Sequence, residues 1–295
     1  MTLKINDMKI RKALLSILLI SNSLLLLAQL NPVSIDLRNN GKKLDGKFYQ
    51  VEKVMSPPTL ILLHGFPGNA SSPYGLAERL TKNGINVLVF NYEGSFNSEG
   101  IFSWENCMND IGVALSFLKQ KNNIQQFSID TSKIIVCGCS LGAALALSAA
   151  VHNSEIRKLI AVVGGNDLSI YLQKMRRDPV FRTVLEKRIA AAGMPNGPIK
   201  GDSAYIHNYF EQIMSNYEYF DLIKNAEKLK NKEILFITGW LDTTVPMEEF
   251  IIPTYRHLKN MNPEFVSIKA FETDHNFTNK RDDLANSITE WIKSK

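Results

Sequence analysis

Five short stretches of this chain, residues 59–63, 85–90, 133–139, 159–163 and 233–238, are apolar almost from end to end. A strand that reads this way has neither face in water, which is the mark of a parallel sheet covered by helices on both sides. Segments with helical spacing fall between them at 74–82, 104–121, 141–151 and 247–259. In 104–121 the apolar Ile111, Ala114, Leu115 and Leu118 recur at three and four residues. A further strand at 266–271 and a last helix at 282–293 continue the rhythm. Such alternation limits the chain to a doubly wound, mainly parallel α/β sheet.

Two more strands are expected ahead of this pattern, around 33–38 and 47–54, with Gly41 and Gly46 punctuating between them and Pro57-Pro58 breaking the chain. The rhythm then stops between about 166 and 231, where helices are expected, broken near 193–201. The expected division is a first core part over 29–165, a helical cap insertion over 166–231 and a second core part over 232–295. The insertion carries Tyr205, Tyr209, Phe210, Tyr217, Tyr219 and Phe220 near helical spacing. Such a stripe packs into a core or roofs an apolar pocket at the sheet edge.

Residues 1–28 read as a signal peptide. Lys9, Arg11 and Lys12 form the positive start, an apolar stretch runs from Ala13 to Ala28, and Ala28 offers a small residue before Gln29. The alternative is an uncleaved anchor, but Ser16, Ser21, Asn22 and Ser23 interrupt a stretch already shorter than the roughly 20 apolar residues of a membrane span. The expectation is export, to a periplasmic or extracellular place, with no stable membrane anchor after cleavage.

The formal charge of +5 is local, because Lys4, Lys9, Arg11 and Lys12 against Asp7 place +3 of it ahead of residue 29. No basic run remains that would bind nucleic acid. Composition is that of a globular domain, 45% hydrophobic and 21% charged, and a core of this size needs no disulfide staples. Cys107, Cys137 and Cys139 are too few and odd in number for a disulfide framework. Cys137 and Cys139 lack further ligands for a metal and are expected as buried thiols.

Gly138-Cys139-Ser140-Leu141-Gly142 fits G-x-S-x-G, directly after one expected strand and directly before an expected helix. That spacing makes a sharp turn that lifts the serine over the sheet edge, with glycines where a Cβ would clash. The helix start also brings backbone N–H groups and a positive dipole end near Ser140. Read blandly, Ser140 would be a helix N-cap.

With His64-Gly65-Phe66-Pro67-Gly68, Asn91-Tyr92-Glu93-Gly94-Ser95, this elbow, Gly239-Trp240-Leu241-Asp242, Val245-Pro246 and Asp274-His275-Asn276-Phe277, the chain resembles the α/β-hydrolase superfamily over about 35–165 and 232–293. Its motifs are most similar to prolyl-oligopeptidase-type and dienelactone-hydrolase-type serine hydrolases. Cys139 departs from the His, Tyr or Gly usual in that family beside the nucleophile.

A serine nucleophile needs a base within hydrogen-bond reach. Of five histidines, His64 resembles the family's structural histidine, and His152, His207 and His257 fall in or beside expected helices. His275, between the last strand and the last helix, is the expected base, and Asp242 the expected acid that holds it, in the chain order Ser, Asp, His of this fold. Asp274 is the rival acid, but neighbours on an extended chain point apart. Asp242 also reads as a turn former before Thr243-Thr244. The resemblance implies an oxyanion hole from the backbone N–H groups of Leu141 and Phe66, since Pro67 has none. The implied reaction is hydrolysis of an acyl bond, a carboxylic ester first, through an acyl-enzyme on Ser140, with a small-molecule ester or peptide as partner and no metal or organic cofactor. Peptide or amide cleavage is the alternative, and a catalytically silent binding protein on the same scaffold is the third possibility.

Overall fold

The computed structural model describes residues 32–52, 54–164, 168–193, 197–200, 215 and 217–294. Among them, β1 (Val33–Asn39), β2 (Lys42–Tyr49), β3 (Thr59–Leu63), β4 (Asn86–Phe90), β5 (Ile134–Cys139), β6 (Lys158–Val162), β7 (Glu233–Gly239) and β8 (Val266–Phe271) form one sheet in the order β1-β2-β4-β3-β5-β6-β7-β8. The pairs β1–β2 and β2–β4 are antiparallel, and all other pairs are parallel. This is the expected doubly wound α/β-hydrolase fold.

Helices cover both faces. They are α1 (Leu76–Lys82), α2 (Trp104–Lys119), α3 (Lys121–Phe127), α4 (Leu141–His152), α5 (Leu168–Arg177), α6 (Pro179–Ala192), α7 (Met247–Phe250), α8 (Ile252–Met261) and α9 (Arg281–Lys293). Strand side chains alternate between two cores. Leu60, Leu62, Val87 and Val89 pack with Leu80 of α1 and Leu284 and Ile288 of α9. Ile61, Leu63, Leu88 and Phe90 pack with Ile111 and Leu118 of α2 and Leu145 of α4. Every residue of β3 and β4 is buried, so these strands read as unbroken apolar runs rather than as alternation.

Several boundaries differ from expectation, each for a local reason. The second strand begins at Lys42, not 47, and ends at Tyr49. The β1–β2 connection is the two-residue turn Asn40-Gly41, both with positive φ (46° and 82°), which is the type I′ hairpin signature. Gly46 is not punctuation. It pairs with Ile35 inside the ladder, where a Cβ would stand 3.0 Å from Ile35 Cγ1. The helix expected over 104–121 stops at Lys119, Gln120 is extended (ψ 133°), and α3 follows. The helix expected over 247–259 is two helices meeting at Ile251. Pro253 lacks an N–H and cannot continue the earlier helix, but it suits the first turn of the next.

Between β6 and β7, Asp178 caps α6 by accepting from the N–H groups of Val180 (3.0 Å) and Phe181 (2.9 Å). The segment after α6 is stitched to the loop after β4, with Ile199 bridging Ser95 and Gly193, and Phe96 N–H donating to Pro198 O (2.7 Å). Tyr205, Tyr209 and Phe210 lie outside the described residues, as do residues 1–28. The other aromatics of the insertion pack elsewhere than over Ser140. Phe220 meets Trp104 edge-on at 4.9 Å, Tyr219 stacks on His152 at 3.7 Å, and Tyr217 faces Arg176 and Lys224, each at 5.4 Å. Among the described residues no helix is long and apolar enough to cross a membrane.

Candidate active site

Ser140 stands between β5 and α4 with φ 55° and ψ −117°, a conformation that costs on the order of 1–3 kcal/mol and persists only when its surroundings impose it. The β5–β6 ladder runs up to it, since Ser140 N–H donates to Val162 O (2.8 Å). The two motif glycines make room. A Cβ on Gly138 would fall 2.0 Å from Gly142 O, and one on Gly142 would fall 2.4 Å from Leu63 O. The motif spacing therefore records how closely the elbow packs on itself and on the end of β3.

The parallel pairing of β7 and β8 brings two distant loops to this edge, Gly239 lying opposite Phe271. Beyond β7, Asp242 is buried, and its carboxylate does two jobs. Oδ1 accepts from the N–H groups of Thr244 and Val245 (2.8 Å each), which is the turn, and Oδ2 faces His275 Nδ1 at 2.7 Å. A carboxylate can only accept, so Nδ1 carries the proton and Nε2 is left as an acceptor. Nε2 lies 3.1 Å from Ser140 Oγ. The structure thus joins Ser140, His275 and Asp242 in one hydrogen-bonded series. Beneath His275, Phe277 is fully buried with φ 50° and packs edge-on against Phe271 (5.9 Å), which seats the loop.

Asp274 points elsewhere. Its carboxylate accepts from the N–H (2.9 Å) and Oγ1 (2.8 Å) of Thr278, and these bonds hold it below the usual carboxylate range. His64 is buried and lies against Tyr92, ring centroids 4.2 Å apart, with Nδ1 2.8 Å from Gly65 O. Burial pulls its pKa down to about 4, so the ring is neutral and structural at ordinary pH. His152 stacks on Tyr219, His257 lies on α8, and His207 falls outside the described residues. Cys107, Cys137 and Cys139 are free and buried, and burial pushes the Cys139 thiol well up.

Leu141 is the first residue of α4, where an N–H has no intrahelical acceptor. Phe66 follows Gly65, whose backbone abuts the elbow so closely that a Cβ there would stand 3.0 Å from Ser140 Cβ. Among the described residues neither the Leu141 nor the Phe66 N–H has a backbone acceptor. A cavity of about 350 Å³ opens at Ser140, walled by Gly65 and Phe66, by the loop through Asn69 and Tyr74, and by His275 and Asn276. Neither Tyr74 nor this loop is marked in the sequence as a pocket wall, because their place depends on backbone conformation and not on residue type. A larger cavity of about 740 Å³ lies among Leu115, Ile134, Arg157 and Phe265, where β5 to β7 begin, at the opposite end of the strands.

A profile of the alpha/beta hydrolase fold matches residues 58–242, more than half of the chain. Over 94 residues the chain is 30% identical to the uncharacterized protein YfhR of Salmonella typhi, a match covering 32% of this chain and 30% of that relative's length. Among solved structures, the esterase Pf2001 of Pyrococcus furiosus is similar with a TM-score of 0.63 at 21% identity, over 90% of both chains. A puromycin-hydrolyzing peptidase of Mycobacterium tuberculosis is similar with a TM-score of 0.64 at 16% identity, over 90% of this chain and 39% of that one. By its sheet and by this match the chain belongs to the alpha/beta hydrolase fold family.

Proposed function

We propose that this chain hydrolyses a carboxylic ester through an acyl-enzyme on Ser140, with His275 as base and Asp242 as the acid that orients it. The observation that carries the reading is the series Asp242–His275–Ser140 at 2.7 and 3.1 Å. Ser140 Oγ attacks the ester carbonyl carbon while His275 Nε2 takes its proton. The negative charge formed on the carbonyl oxygen meets the Leu141 and Phe66 N–H groups, fixed dipoles that need no reorganisation. His275 then returns the proton to the leaving alcohol oxygen, and a water repeats the sequence on the acyl-enzyme. Asp242 keeps the imidazole in the tautomer that accepts at Nε2 and stabilises the imidazolium.

The test is labelling by a fluorophosphonate, with turnover of a p-nitrophenyl ester measured alongside. Ser140→Ala should abolish labelling and lower kcat by about 10⁴–10⁶-fold with the fold intact. Turnover near the wild-type rate would reject Ser140. Amide cleavage is the second reading, favoured by the motif likeness to prolyl-oligopeptidase-type hydrolases and by the likeness to the mycobacterial peptidase. Parallel kcat/KM values on matched esters and aminoacyl amides separate the two.

The proposal extends to the ends of the molecule. Helices α5 and α6 belong to a cap over the site, and residues 1–28 direct export, which cell fractionation with and without that segment would test.

A further inference from the structure

Three of the four residues Ser72 to Gly75 are left-handed, with φ of 74° at Ser72, 55° at Tyr74 and 66° at Gly75. For a bulky residue such as Tyr74 this is an outlier that survives only where neighbours enforce it. They do so here. Gly75 N–H donates to Ser72 O (2.8 Å), Ala77 N–H donates to Ser72 Oγ (2.9 Å), and Ser72 Oγ–H donates to Glu78 Oε2 (2.5 Å). Arg79 Nη1 donates to Gly75 O (3.0 Å), and upstream Ala70 N–H donates to Asn91 Oδ1 (2.7 Å). The result of this bracing is that the Tyr74 ring sits 6.2 Å from Phe277, under the His275 loop, and forms part of the wall of the cavity at Ser140.

The ring alone would be served by Phe. The hydroxyl is the surplus feature: among the described residues no group hydrogen-bonds to it, it keeps some exposure, and Tyr74 stands in the wall of the cavity. A half-buried tyrosine hydroxyl ordinarily has a partner, and a substrate in the cavity is placed to supply one. We propose that Tyr74 is a specificity-determining residue of the Ser140 pocket, donating a hydrogen bond to an uncharged oxygen acceptor, an ether, hydroxyl or carbonyl, borne by the substrate beside its scissile carbonyl. The proposal rests on Ser140 being the nucleophile.

The chemistry of the acceptor follows from the surroundings. Burial keeps the phenol protonated throughout the working pH range, so it stands as a neutral donor. The carboxylates of Asp242 and Asp274 act on it in the same sense and Arg281 opposes them. The two carboxylates against one cation disfavour an anionic partner at the hydroxyl, and a partner for its O–H must offer a lone pair. An uncharged oxygen remains, on an arm small enough for a cavity of about 350 Å³.

The test uses the full-length protein and two fluorophosphonates that react with Ser140 by loss of fluoride. Their chains are equal in length and differ by one ether oxygen in place of a methylene at the third or fourth atom. Wild type should be inactivated faster by the ether probe, relative to the alkyl probe, than Tyr74→Phe is. The ether-to-alkyl rate ratio should fall about 5–100-fold in the variant, as loss of a single donor to a buried acceptor implies. Should Tyr74→Phe not fold, Tyr74→Asn should lower the ether-to-alkyl rate ratio likewise, since Asn tolerates the left-handed backbone and is too short to reach, while loss of the ring acts on both probes. Equal losses on both probes would make Tyr74 structural, and equal rates in wild type would remove the acceptor altogether; either overturns the proposal. Failure of wild type to be labelled by either probe would instead reject Ser140.

Discussion

Replacing Asp242 by Asn leaves volume unchanged and tests which carboxylate orients His275. Oδ1 of Asp242 holds two backbone N–H groups at 2.8 Å, and Oδ2 holds His275 Nδ1 at 2.7 Å. In the variant the amide oxygen must keep the two N–H donors, because an NH₂ there would face them donor to donor. The NH₂ then points at His275 Nδ1, which must turn acceptor and send its proton to Nε2. Nε2–H would face Ser140 Oγ across 3.1 Å as a donor, where a base is required. A wrong tautomer of this kind costs about 10⁴-fold in kcat, or about 5.5 kcal/mol in the barrier. The turn survives, so the melting temperature should move little. Asp274→Asn is the control. Its partners are the N–H and Oγ1 of Thr278 on an exposed turn, an amide oxygen can keep the first of them, and activity should stay within about threefold. Initial rates on a p-nitrophenyl ester, with fluorophosphonate labelling as a count of competent sites, read both variants. An Asp242→Asn enzyme within about tenfold of wild type, or an inactive Asp274→Asn, would refute the tautomer argument.

Gly142→Ala should destabilise the protein by about 1–3 kcal/mol and depress activity, because the new Cβ would meet Leu63 O at 2.4 Å and His64 O at 2.8 Å, both backbone. Gly112→Ala in α2 meets nothing within 4 Å and should stabilise by about 0.5–1 kcal/mol; thermal melts that fail to separate the two would undo the close-approach account of the elbow. His64 should weaken the fold in acid. Its folded pKa is pulled to about 4 against 6.5, so the contribution of the neutral ring is complete above 6.5 and lost as pH falls through 4, a change on the order of 3 kcal/mol. Urea unfolding of wild type and His64→Asn across that window should show the difference shrinking with acid, and a difference independent of pH would exclude it.

What could be read from the sequence, and what could not, divides along physical lines. Burial on both faces writes itself as an unbroken apolar run, which is why β3, β4 and β5 and their parallel sheet were legible without any long-range information. The elbow was legible because its cause is equally local: the glycines answer contacts made within five residues and at the adjoining strand end. Gly46 misled because a glycine required by a cross-strand neighbour, Ile35, looks the same as one required by a turn, and only the Asn40-Gly41 pair carried the turn signal. The competition between Asp242 and Asp274 is non-local in the same way. His275 is next to one in sequence, yet it meets the other because β7 and β8 pair in a register that ends both strands at one edge. The aromatic insertion shows the limit most plainly. Spacing could mark Phe220 as one of a set with a common face, but Trp104, more than a hundred residues away, is what fills that face. Tyr74 had no sequence signal at all, since what sets it apart is a backbone conformation imposed by Ser72, Glu78 and Arg79. A functional role that depends on residue type at a fixed local spacing can therefore be read from the chain, and one that depends on which surface a loop is braced against cannot.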